Sequence, residues 1–263
     1  MMTTIGRRTR SVLAEAWLPA VLLLLWWALS TNSTSLYFPP LSDIVHQLYD
    51  VVTTRFGSDI LPSLRNFALG LAIAMAAGIA LGLLCGLIEA LHRAFQPLLE
   101  FLRAIPGVAI LPVALFMFGI GTSMKVAVIA FGAFWPILLN TVDGVRGVDT
   151  LIKDVARSYH LRRRERLFRV VLPAASPQIL AGVRISVSLG VILIVASEYI
   201  ASTEGIGYIE LQSARQYQMS VMWAALLLLG IVGYAVNVAF RVVEARLLKW
   251  HRGLRGTLLE GNS

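Results

Sequence analysis

Residues 149–177 read DTLIKDVARSYHLRRRERLFRVVLPAASP, a polar stretch set in the otherwise apolar second half of the chain. It carries eight basic residues, counting His160, and is followed at once by another apolar run. The whole chain of 263 residues is 57% hydrophobic and 14% charged, with a mean hydropathy of +0.73. Soluble domains carry roughly 25% charged residues, so these proportions suit lipid. The fold follows from how the apolar runs are cut by this segment and by a few shorter loops.

A helix needs about 20 largely apolar residues to cross the hydrocarbon core. Six segments meet or approach that length: Trp17–Ser30 (if extended back toward Val12), Asn66–Ile88, Leu98–Phe118, Met124–Val142, Gln178–Ile200 and Met222–Val243. The expected fold class is therefore all-α, a polytopic membrane protein with six transmembrane helices and a cytoplasmic two-helix loop. The expected layout is an N-terminal tail over 1–11, a membrane domain over 12–252 with its loop at 144–177, and a C-terminal tail over 253–263. An even number of spans puts both termini on one side. Arg7, Arg8 and Arg10, the basic loop, and Arg241, Arg246, Lys249, Arg252 and Arg255 make that side cytoplasmic by the positive-inside rule. Segments 32–62 and 201–220, where acidic residues match or outnumber basic ones, then face outward. The net charge of +8 is thus explained by topology and not by nucleic acid. Cys85 is the only cysteine, which excludes an intrachain disulfide and a cysteine-cluster metal site. The run from Trp17 is too long, and too poor in small-residue cleavage signal, for a removed signal peptide.

Local patterns refine this plan. Leu41, Ile44, Val45, Leu48 and Val52 have helical spacing, between Pro39-Pro40 and Gly57, and predict a short interfacial helix. Ala74, Gly78, Gly82 and Gly86 put small residues on one face of the second span, either for packing within the subunit or for a dimer seam. Prolines 106, 112 and 136 predict kinks in or beside the third and fourth spans. Phe116, Phe118, Phe131, Phe134 and Trp135 read as packing or interfacial anchors. Lys125 begins a span and is expected to snorkel. Arg184 and Glu198 bracket the fifth span about 21 Å apart and need not meet. Glu198 is an intramembrane carboxylate that lines a passage, bonds a neighbouring span or reaches the interface.

In the loop, Asp149 is a good N-cap for a helix starting at Thr150. Ile152, Val155, Ala156 and Tyr159 fall on one face. A second short helix fits Glu165–Val171, ended by Pro173 and Pro177. Two short helices with greasy faces want a groove on another protein, or else they pack on their own spans while the arginines contact anionic lipid.

The segment DVARSYHLRRRERLFRVVLP (154–173) resembles the coupling, or EAA, loop of permease subunits of bacterial ABC importers. Asp154-Val155-Ala156 stands at the motif's Glu-Ala-Ala start and Val170-Val171-Leu172-Pro173 at its end. The blocks EFLRAIPGVAILPVALFMFGIG (100–121), GAFWPILLNTVDGVRGVD (132–149) and SEYIASTEGIGYI (197–209) resemble the subfamily importing sulfonates, taurine, nitrate and related compounds. The resemblance implies a coupling site of Asp154, Val155, Ala156, Arg157, His160, Leu172 and Pro173, docked in a cleft of a separate ATPase. It also implies a gate element at Gly205, Gly207 and Tyr208, the turn after span five, beside Glu198, whose intramembrane carboxylate marks a candidate pathway position. Partners implied are ATPase subunits, a second permease copy, a periplasmic or lipid-anchored substrate-binding protein and membrane lipid, with both termini on the cytoplasmic side of a bacterial inner membrane. Two departures stand out: Asp154 replaces a glutamate, and His160 replaces a glycine suited to a left-handed turn.

The chain has no G-x-x-x-x-G-K-[ST] phosphate loop and no zinc-ligand spacing, and its four histidines are scattered. No catalytic residue, metal or cofactor is expected. The rival class is an ion-coupled secondary carrier, although no internal repeat supports it.

Overall fold

Backbone hydrogen bonds inside lipid have to be made within the segment, which favours uninterrupted helices wherever the chain stays apolar. The protein is seen here in a computed structural model that describes residues 17–18 and 21–249. The tails expected at 1–11 and 253–263 lie outside the described residues, as do 12–16 and 250–252. The described elements are helices: α1 (Val21–Ser30), α2 (Leu41–Thr54), α3 (Leu61–Leu87), α4 (Glu89–Arg103), α5 (Leu111–Phe118), α6 (Thr122–Arg146), α7 (Thr150–Ser158), α8 (Arg163–Arg166), α9 (Leu172–Ile200), α10 (Ile206–Arg215) and α11 (Met219–Leu247).

Four continuous helical stretches, containing α3, α6, α9 and α11, are long and apolar enough to cross a membrane, and α4 with α5 forms a fifth, broken crossing. The expected first span, Trp17–Ser30, is represented by the shorter α1, so six full crossings are not all present among the described residues. The third expected span, Leu98–Phe118, is not one helix. The chain bends by 85° between Glu89–Arg103 and Gly107–Phe118. Pro106 disfavours helical geometry at Ile105, and the last turn of α4 tightens as Ala104 and Ile105 donate to Phe101 and Leu102 carbonyls.

The centre is a layer of α3, α6 and α9. Helices α3 and α6 run parallel in a constant register. A Cβ on Gly70, Gly78, Gly82 or Gly86 would crowd Ile129, Ile137, Thr141 or Val145, respectively. The small-residue face is therefore packed within the subunit, and the dimer-seam alternative for it is set aside. α9 runs antiparallel to α6: Gly182 sits against Asn140 and Gly144 against Gln178, while Ser186 Oγ donates to the Ala133 carbonyl at 2.6 Å. Interhelical contacts of this kind replace hydrophobic burial as the cohesive force in lipid.

Prolines shape two entries. Leu61-Pro62 and Leu172-Pro173 each follow a wide π-type turn, Phe56–Ile60 and Leu167–Val171. The helix is consequently unbroken from Arg163 to Ile200. This corrects the expectation that Pro173 and Pro177 end a separate helix. Pro177 leaves the Pro173 carbonyl without a backbone donor, and Ser176 Oγ supplies one at 2.8 Å. α2 forms as expected and buries Ile44 and Val51, capping the bundle end where α3, α10 and α11 meet.

Candidate functional site

The loop after α6 is built by local capping. Asp149 accepts from the Leu151 N–H at 2.8 Å and starts α7. The helix closes in a Schellman motif: Leu161 N–H donates to the Ala156 carbonyl and His160 N–H to that of Arg157. His160 holds the left-handed position at φ 53°, so the bend a glycine would make is kept. Asp154 is exposed and pairs with Arg157 at 3.1 Å. Ala156 is 4% exposed and faces the chain itself, whereas Leu151, Ile152, Val155 and Tyr159 are 46–77% exposed. α7 rests on the π-type turn before α9, so Leu172 and Pro173 continue directly from the support of α7 into a span. An apolar face is thus held out from the bundle on a capped helix, mechanically joined to α9.

At the opposite end of the bundle a second polar group forms. Glu198 is 2% exposed; its Oε1 accepts from Ser63 Oγ at 2.5 Å and its Oε2 from the Gly207 N–H at 2.8 Å. Ser63 Oγ in turn accepts from the Ile206 N–H at 3.0 Å, and Asp59 Oδ1 accepts from the Gly205 N–H at 3.0 Å. Three orphan donors at the start of α10 are therefore satisfied by side chains of α3, its entry turn and α9. Negative charge there also suits the positive end of the helix dipole. Gly205 has φ 123°, and a Cβ on it would overlap the Glu198 carboxylate. Tyr208 lies beside this turn and is half-buried. Of the three sequence alternatives for Glu198, the bond to a neighbouring span is the one made. A cavity of about 20 Å³ beside it, lined by Phe67, Ile194 and Leu229, has room for about one water molecule. That is too small for an organic solute.

Lys125 differs from expectation. It does not snorkel: it is 1% exposed, donates to the Glu204 carbonyl at 3.1 Å and faces the Glu204 carboxylate at 3.8 Å. Its position in the first turn of α6, under the turn after α9, gives it a fixed partner. Arg184 and Glu198 do not meet; Arg184 makes a bidentate pair with Glu244 of α11, its Nε donating at 3.1 Å. Sequence reasoning missed Asp59 and Ser63, because it placed Asp59 in the outward loop 32–62 and began the second span at Asn66, beyond Ser63. The helical spacing of Ser63, Asn66 and Gly70 was the available signal.

A family model described as "Binding-protein-dependent transport system inner membrane component" matches residues 78–249. The chain belongs to this family. It is an ABC transporter permease subunit, and permeases of this kind work with separate ATPase and substrate-binding partners. ATP is hydrolysed in the separate ATPase subunits, which sets the ion-coupled carrier aside. SsuC of Bacillus subtilis, named as a permease for aliphatic sulfonates, is 29% identical over 95% of this chain and 92% of its own length. The taurine transport system permease protein TauC of Escherichia coli is 30% identical over 88% of this chain and 87% of its own. The formylaminopyrimidine transport permease protein ThiX of Halalkalibacterium halodurans is 28% identical over 88% and 94%. Among solved structures, the inward-facing MetNI methionine ABC transporter aligns with a TM-score of 0.62 at 19% identity, covering 72% of this permease and 94% of that chain. That likeness supports the fold.

Proposed function

We propose that this permease forms the membrane pathway for a small sulfonate- or taurine-like solute, handed over by a substrate-binding protein and driven by ATPase subunits that grip α7. The observation that carries this reading is the exposed face of Leu151, Ile152, Val155 and Tyr159 on a capped helix continuous in support with α9. An apolar helix face fits a groove on a partner. Asp154 and Arg157 flank that face as a charged rim, Ala156 fixes the helix from beneath, and the His160 bend sets the angle between α7 and Arg163. Leu172 and Pro173 pass the displacement of the loop to the span. At the far end, Glu198, Gly205, Gly207 and Tyr208 hold the turn that closes the pathway, so the gate is fastened to the same helix that the loop moves. A second copy of the permease completes the pathway, and the loop and both termini face the cytoplasm. Nitrate and small heterocycles are alternative solutes within the same scheme, since a binding protein does most of the selecting.

The docking test uses Val155→Glu and Tyr159→Glu. Each places a charge on the exposed face without touching the buried side, and each should leave membrane insertion intact while lowering ATPase co-purification at least roughly tenfold. Undiminished association with both variants would remove the loop from the interface. Ala156→Arg is a poorer probe, because its side chain would have to enter the packed underside of α7. For the solute, thermal stabilisation of the partner binding protein by taurine or an alkanesulfonate supports the assignment; stabilisation by nitrate alone replaces it.

A further inference from the structure

Where α3 ends, Leu87 and the following Ile88 face Arg163, Arg164 and Arg166 across a cavity of about 400 Å³, floored by Leu167 and Val171. Among the described residues none of these three arginines has a carboxylate within ion-pair distance. Glu165, the acid between them, is turned to the Arg162 backbone N–H at 3.0 Å. Three arginines thus border one partly apolar space with no internal counter-charge. A neighbouring cavity shares Leu87, Arg166 and Val171 and adds Lys153, while its other cation, Arg157, is already paired with Asp154. Low-dielectric walls and charge of one sign concentrate anions, and the planar guanidinium fork matches phosphate oxygens.

The apolar side of the cavity continues along the bundle. Leu81 and Leu84 on the outside of α3 and Ile88 just past its end are each 46–48% exposed and follow i, i+3, i+7 spacing, an apolar stripe leading to the cavity. A ligand matched to both parts has an anionic phosphate at one end and hydrocarbon at the other. We propose that this cavity seats the phosphate of an anionic phospholipid, with acyl chains lying along the Leu81–Leu84–Ile88 stripe. The site is distinct from the exposed face of α7 and does not depend on what docks there. Its occupant would brace the bend between α7 and α8 against the end of α3.

Native mass spectrometry of the full-length permease in detergent tests this, with dioleoyl phosphatidylglycerol and dioleoyl phosphatidylcholine titrated separately. One phosphatidylglycerol per chain should bind at a concentration on the order of tenfold lower than phosphatidylcholine, given the attraction of each basic residue to anionic headgroups. Combined R163Q, R164Q and R166Q should abolish that preference, and so should L87E, which introduces a carboxylate into the cavity and spares the arginines. Charge removal at the opposite end of the bundle, R65Q with R215Q, should leave it intact. Equal binding of the two lipids, or a preference that survives both cavity changes, overturns the proposal. Displacement of phosphatidylglycerol by a hundredfold excess of inorganic phosphate or glycerol 1-phosphate also overturns it, making free phosphate the ligand.

Discussion

A buried carboxylate with two donors aimed at it makes a specific claim about Glu198. Its removal strands the Gly207 N–H away from water, at a cost of about 1–3 kcal/mol, and leaves the Ser63 hydroxyl only its longer bond to the Asp59 carbonyl at 3.2 Å. Glu198→Ala should therefore lower stability by about 2 kcal/mol, read as thermal unfolding of the detergent-solubilised protein, with Glu198→Gln falling between it and wild type. Gly205→Ala should be at least as damaging, since its φ of 123° disfavours any L side chain and its Cβ would overlap the Glu198 carboxylate. Gly57→Ala is the matched control: nothing lies within 4 Å of its added Cβ. Equal melting points for the two glycine variants would dismantle this account. At the other end, His160 occupies a left-handed position that costs an L residue roughly 1–2 kcal/mol. His160→Gly should raise stability by about 1 kcal/mol with ATPase association retained, and His160→Val should lower it. A melting point reduced by the glycine would show that the imidazole makes a contact worth more than the backbone relief.

For the elements, the α3–α6 seam is the most exacting contact. Gly82 approaches Thr141 so closely that an added Cβ would stand 2.5 Å from its Cβ, and at Gly78 the Ile137 side chain would lie at 2.9 Å. Gly82→Val and Gly78→Val should each cost about 1–3 kcal/mol through overpacking. Gly230→Val on α11, with open space around it, should be close to neutral. Denaturant titration of the three purified variants measures this, and similar midpoints for all three would contradict the register. The elements also differ in how well sequence reveals them. α2 and α7 were legible because spacing and caps act within a few residues, and α3, α6, α9 and α11 because length and hydropathy suffice. The break at residues 104–106 was only hinted at by Pro106, since many membrane helices carry proline through with a kink. Its outcome depends on what packs beside α4, and α4 buries none of its own residues.

Across the whole molecule, the arrangement puts the α7 face and the Glu198 knot at opposite ends of α9, joined by one helical stretch from Arg163 to Ile200. Orientation in the membrane is open to direct test because Cys85 is the only cysteine and is buried. Ser158→Cys should react with a membrane-impermeant maleimide only after the inner face is opened, and Thr203→Cys should react in intact cells once the outer membrane, where present, is permeabilised. The reverse pattern would invert the topology.

The amino-acid sequence by itself determined the membrane class, the position of most crossings, the basic loop with its capped first helix and the family resemblance, because hydropathy, caps and charge runs are local properties. Only the tertiary structure decided which polar residues are partners. Ser63 and Glu198 are 135 positions apart, Lys125 and Glu204 are 79 apart, and Arg184 and Glu244 are 60 apart. In lipid a polar side chain is satisfied by whichever helix the packing brings beside it, and packing is a property of the folded bundle and not of any one segment.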